Sequence, residues 1–178
     1  ETELTESLKG LPTRTTQFGR FDKGLAYTIL MKYYMHEKNW AKAEECGREL
    51  LKAEYGYGLM DRYADIFTLE NEGNKEIIFA CTEERGTNLQ LWHDHALPGN
   101  YPTKNASIQK WDGYKVPWPF YRTFEEGDDR LSVLVGEYVG TDGVLFNEES
   151  DIAKHGNLYS GAVPVKYGED PESTGDGS

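Results

Sequence analysis

Between Arg85 and Arg122 the chain carries Trp92, Trp111 and Trp118, three of its four tryptophans, interleaved with Tyr101, Tyr114, Tyr121, His93, His95, glycine and proline. The stretch follows neither a helical nor a strand period. Aromatics on loops have poor access to a regular core stripe, so part of this set is expected to line a surface or a cleft. Any single tryptophan reads first as a core or loop anchor; the set together is what points outward. His93-Asp94-His95 offers imidazole and carboxylate, both common metal ligands. Alternate residues on an extended segment point apart and no third histidine completes a motif, so a surface or hydrogen-bonding role is expected and no metal is assigned. Glu83-Glu84 and Glu125-Glu126-Gly127-Asp128-Asp129 could supply the paired carboxylates of a glycosidase, whose separation sets the stereochemical outcome. Neighbouring acids are usually solvated, however, and Asp129-Arg130 reads as an ion pair or loop lock. GxSxG, HExxH, Walker and GxGxxG patterns are absent from the sequence. No catalytic residue and no cofactor is therefore assigned.

The elements that must position these residues begin with a helical pair. Tyr27, Leu30, Met31 and Tyr34 follow the aromatic-x2-Leu-x3-Tyr rhythm of a tetratricopeptide repeat, and Ala43 falls where the second helix wants a small residue, followed by Leu50 and Leu51. At 3.6 residues per turn these positions are expected to share one face. His36-Glu37-Lys38-Asn39 supplies the turn, and Trp40 starts the return helix, where its bulk is expected to pack against the first. Met31 stands where the repeat prefers Gly and Gly47 where it prefers a large aromatic, which reads as an exchange of large for small across the interface. Asp22 is a candidate N-cap, with a solvated first-turn position as the alternative.

The expected organisation is an extended lead-in over 1–19, a tetratricopeptide-like helix-turn-helix over 20–55, a loop-rich region over 56–167 and a disordered tail or loop over 168–178. Tyr63 to Phe67 should make a short helical turn, and Glu76-Ile77-Ile78-Phe79-Ala80-Cys81 a strand or extended buried segment. Gly136 to Gly143 reads as a hairpin. The fold class is mainly α, a helical-hairpin platform with a long loop-rich region and short β segments.

The 178 residues carry 31 acidic against 19 basic side chains, a formal charge of −12. That balance argues against nucleic acid as a partner, because phosphate binding depends on clustered Lys and Arg. Cys46 and Cys81 fit no metal spacing and are expected to be two buried thiols, with a Cys46–Cys81 disulfide as the alternative. No apolar run approaches the roughly 18 residues needed to span a bilayer.

Taken in order, the helical pair with Asn39-Trp40-Ala41-Lys42-Ala43, the Tyr63-Ala64-Asp65-Ile66-Phe67 turn, the Asn74-Lys75-Glu76-Ile77-Ile78-Phe79 segment and the later Tyr121, Phe124 and Asp128-Asp129-Arg130 string resemble the SusD/RagB family of outer-membrane nutrient-binding lipoproteins of Bacteroidetes. The resemblance covers roughly Arg20 to Arg130. It implies a SusD-like αα-superhelical platform with a loop-rich ligand face, of which this chain would be an internal portion. It also implies a surface-exposed protein of the outer membrane, held there by a lipid anchor absent from this chain. Such a protein captures oligosaccharide or polysaccharide for import through a SusC-like TonB-dependent transporter, without catalysis. The alternatives are a helical-repeat scaffold that binds only protein, or a glycan-hydrolysing enzyme.

A sugar ring has apolar C–H faces and hydroxyl edges, so flat aromatics beside amides and carboxylates are the expected signature. Trp92, Trp111, Tyr114 and Trp118 are the candidate platforms, with Asn88 and Asp112 as the leading polar partners and Gln90, Asp94 and Gln109 nearby.

Overall fold

The computed structural model describes residues 1–83 and 90–172. The chain divides into two compact units, one made of Glu1–Met60 with Gly73–Thr82 and the other of Asp61–Glu72 with the chain from Glu83 onward. Among the described residues no helix is long and apolar enough to cross a membrane.

The first unit is built on two helices, α2 (Lys23–His36) and α3 (Trp40–Leu50), preceded by the short α1 (Thr2–Ser7). Asp22 is buried and caps α2, its Oδ1 accepting the Leu25 amide at 3.0 Å. Such a cap satisfies one of the donors a helix start leaves without an intrahelical partner. Asn39 caps α3 in the same way through the Lys42 amide. Leu30, Tyr34, Ala43 and Cys46 form the buried seam, with Tyr27, Met31, Leu4 and Leu8 packed on it.

Five expectations change in this unit. The lead-in is not wholly extended: Leu4 and Leu8, four apart, share one side of a helical turn and join the seam. Trp40 is 63% exposed and does not fill the hairpin; the small Ala43 and Cys46 face α2 instead. Leu51 lies 100° round the helix from Leu50, outside the seam, and is exposed. The Glu76–Cys81 segment forms neither a strand nor a buried run, because among the described residues no partner strand is in register with it. Its Phe79 packs on Phe21 with ring centroids 5.6 Å apart, and the chain is tied back by Gly58 N–H donating to Lys75 O. Cys81 is accordingly exposed, Cys46 is buried and both thiols are free.

The second unit centres on β5 (Gly161–Pro164), all of whose residues are buried. It lies between β1 (Val116–Pro117) and β2 (Leu134–Val135), antiparallel to both, with Val116 opposite Ala162 and Val135 opposite Val163. A Cβ at Gly161 would stand 2.1 Å from Val116 O, so only glycine allows β1 this close. A hairpin of β3 (Glu137–Val139) and β4 (Leu145–Asn147) follows and leads into α6 (Glu148–Ile152). Trp118 in α5 (Trp118–Tyr121), Tyr138, Ile108, Leu158, Ala162 and Val163 form the core. Tyr63–Phe67 is a 3₁₀ turn whose Tyr63 amide donates to the Asp129 carboxylate. Arg130 pairs with Asp128 rather than with Asp129, at 2.5 Å. Residues 168–172 form a loop in which Glu169 accepts the Lys104 and Asn105 amides; 173–178 lie outside the described residues.

Candidate functional site

His93-Asp94-His95 lies on a helix, α4 (Trp92–Ala96), and not on an extended segment. The Gln90 side-chain oxygen accepts the Trp92 amide at its start. Its last carbonyls, which a helix end leaves without partners, are taken up by a loop from sixteen or more residues further on. Trp111 N–H donates to Asp94 O at 2.7 Å, and Gly113 and Tyr114 N–H both donate to His95 O at 2.7 Å. Asp112 between them has φ 54°, a left-handed conformation that Asp tolerates better than most side chains. A Cβ at Gly113 would stand 3.1 Å from His95 O, so glycine lets the loop approach the helix end.

Hung this way, Trp111 and Tyr114 converge on His95. The Tyr114 ring stacks on the imidazole with centroids 5.0 Å apart and 23° between planes. Trp111 meets the same imidazole edge-on at 4.7 Å. Behind Tyr114 stands Trp92, at 5.5 Å, whose indole N–H donates to Pro164 O at 2.9 Å and so fixes the ring to β5. The braced pair remains 48% (Trp111) and 45% (Tyr114) exposed. Large aromatics held rigid at the surface forgo little side-chain entropy when a flat apolar face settles on them. In the same loop the Lys115 ammonium donates to Asp112 Oδ1, and the carboxylate keeps further acceptor capacity. The patch therefore pairs two aromatic faces with one acceptor edge.

His93 turns the other way. It is 2% exposed, and its Nε2 lies 2.9 Å from Tyr167 O, an acceptor, so Nε2 carries the proton. Burial pushes its pKa below the usual imidazole value. Among the described residues no group of three or more His, Cys, Asp and Glu side chains is arranged to hold a metal.

No family model matches this chain, and no curated protein matches it. Solved structures do. Surface glycan-binding protein A from Bacteroides thetaiotaomicron superposes with a TM-score of 0.68 at 19% identity, covering 96% of this chain and 41% of that one. The same protein in complex with laminarihexaose gives 0.67 at 20% identity, over 96% and 41%. A SusD-like protein from Bacteroides fragilis gives 0.56 at 23% identity, over 72% and 26%. This chain has a SusD-like fold. It spans about a quarter to two fifths of the length of these structures.

Within the SusD-like fold the sequence-derived site residues separate. Trp111, Tyr114 and Asp112 come together, and Trp92 braces them from behind while half buried. Trp118 does not join them. It is 6% exposed, its indole N–H donating to Leu158 O at 2.8 Å, so it is a core anchor and not a platform. Asp94 is fully buried beneath the patch and cannot face a ligand, and the Gln90 oxygen is engaged at the helix start. Asn88 lies outside the described residues. The bracing position of His95 was not legible, since its ring partners are sixteen and nineteen positions away in sequence. Asp112-Gly113, a turn-forming pair, was the one local signal that the loop folds back there.

Proposed function

We propose that this SusD-like chain binds oligosaccharide or polysaccharide on the Trp111–Tyr114 patch, as part of a surface-exposed, lipid-anchored outer-membrane protein that hands its ligand to a SusC-like TonB-dependent transporter, without catalysis. The observation that carries this reading is the pair of half-exposed rings braced on His95, with Asp112 in the loop between them. Stacking on the C–H faces of a sugar supplies contact area, and the carboxylate oxygen takes a hydroxyl and sets orientation. The likeness to a surface glycan-binding protein seen with laminarihexaose supports the same ligand class. Hydrogen bonds from Arg130 hold the pKa of the Asp128 carboxyl down to about 2, which removes it from a general-acid role near neutral pH. Asp129 is engaged by the Tyr63 amide.

Titration of the chain with laminarihexaose and a panel of soluble polysaccharides, following tryptophan fluorescence and assaying released reducing ends in the same samples, tests this. Saturable binding without product, lost in Trp111→Ala and Tyr114→Ala, is the expected result. Product formation, or binding indifferent to both substitutions, would overturn it.

A further inference from the structure

The second unit also contains a recess of about 310 Å³ beside Tyr167, which the patch does not use. We infer that it is a separate sugar subsite for a ring carrying a single glycosidic linkage, that is, a chain end or a one-residue branch; this rests on the glycan-binding reading above. Its volume lies at the small end of ligand pockets, about 300–1,000 Å³, which suits one ring and not an extended segment. Leu69 and Tyr167, both well exposed, supply apolar wall for a C–H face. Hydroxyl groups both donate and accept, so a polyol needs both kinds of partner. Thr68, whose Oγ1 accepts Asn71 Nδ2 at 2.8 Å and keeps its own proton to give, is one donor, and Tyr101 is another. Lys104 and Glu70 complete the set at the rim, and among the described residues neither side chain makes an ion pair, so both remain available. His93 in the wall is already engaged with Tyr167 O and takes no part.

The recess connects to the patch through rings. Tyr167 meets Trp92 at 5.5 Å and Trp92 meets Tyr114 at 5.5 Å, so the aromatic row that ends in the exposed platform starts at the recess wall. An open platform accepts an internal stretch of glycan with linkages leaving on both sides. A recess with volume for one ring leaves room for one linkage only.

The test is saturation-transfer NMR of the 178-residue chain with a panel of methyl glycosides, which are single rings with one linkage, on wild type, Lys104→Trp and Trp111→Ala, each shown folded by circular dichroism. Lys104 is an exposed rim position, so the tryptophan blocks the mouth without entering the core. At least one glycoside is expected to bind wild type, to lose at least tenfold in affinity in Lys104→Trp and to be retained in Trp111→Ala. No glycoside binding to wild type, or binding unchanged by Lys104→Trp, would overturn the inference. Retention of soluble polysaccharide on the same variants separates the two readings: polysaccharide binding that needs Trp111 while methyl glycosides fail leaves the platform standing and removes the recess. Methyl glycoside binding at the recess with no polysaccharide retention does the reverse.

Discussion

The Tyr114 ring lies on the His95 imidazole at 5.0 Å while the Tyr114 amide donates to the His95 carbonyl at 2.7 Å, so one residue is held to the other by both backbone and ring. This double attachment turns a loop aromatic into a fixed surface. His95→Ala removes the ring contacts to Tyr114 and Trp111, each worth about 0.5–1.5 kcal/mol. Glycan affinity is expected to fall about 3- to 10-fold, with His95→Phe retaining most of it. Isothermal titration with laminarihexaose reads the difference; an unchanged affinity in His95→Ala would show that the brace is dispensable.

In the helical hairpin, a Cβ added at Gly47 would meet Met31 Sδ at 3.5 Å, an ordinary contact. Glycine inside a helix is less favourable than alanine by roughly 0.5–1 kcal/mol. Gly47→Ala is therefore expected to raise stability by about that amount in urea denaturation. Gly47→Phe, the large residue the repeat pattern prefers there, is expected to lower it by about 1–3 kcal/mol, because Met31 already fills the space.

At the start of α2 the constraint is tighter. A Cβ at Gly24 would stand 1.9 Å from the Tyr57 hydroxyl, which is itself buried and without a partner among the described residues. Gly24→Ala is expected to destabilise the first unit by about 1–3 kcal/mol through overpacking. Tyr57→Phe alone should be neutral or stabilising, since it removes a buried unpaired hydroxyl. The double variant should recover part of the loss, and a thermal-melt cycle of the four proteins measures the coupling. Strict additivity would argue against this contact.

The neutral, buried His93 makes stability depend on pH. Its folded pKa lies below the unfolded value of 6.5, with burial as the largest cause. The unfolded chain thus takes up a proton first as pH falls. The contribution is fully present above pH 6.5 and is lost as pH drops through the folded pKa. Urea midpoints measured from pH 7.5 down to 5 should decline in wild type. His93→Gln, which can still donate to Tyr167 O, should show a shallower decline; equal slopes would exclude His93 as the source.

Much of the helical hairpin was legible because it rests on local rules. Asp22 and Asn39 sit at cap positions, and Leu30, Tyr34, Ala43 and Cys46 recur at the spacing of one helical face. Trp40 and Leu51 were misjudged from bulk and apolarity alone, which say that a side chain prefers cover but not that a neighbour provides it. The Glu76–Cys81 segment has strand composition without a strand partner among the described residues, and β propensity is realised only in a ladder. In the loop-rich stretch the sequence marked Trp92, Trp111, Tyr114 and Trp118 as equals. Their fates differ because the Leu158 carbonyl, ahead of β5, holds Trp118 in the core, whereas the open carbonyls of α4 hold Trp111 and Tyr114 at the surface.

By itself, then, the sequence determined the capped helical pair, the acidic balance that disfavours nucleic acid and the presence of a loop-borne aromatic set, since each depends on residues close together in the chain or on composition. Only the tertiary structure decided which rings face solvent, that the distant Tyr63 amide takes up Asp129, and that a recess opens beside Tyr167. Those outcomes depend on which distant backbone groups come within hydrogen-bonding reach, and no local pattern encodes that.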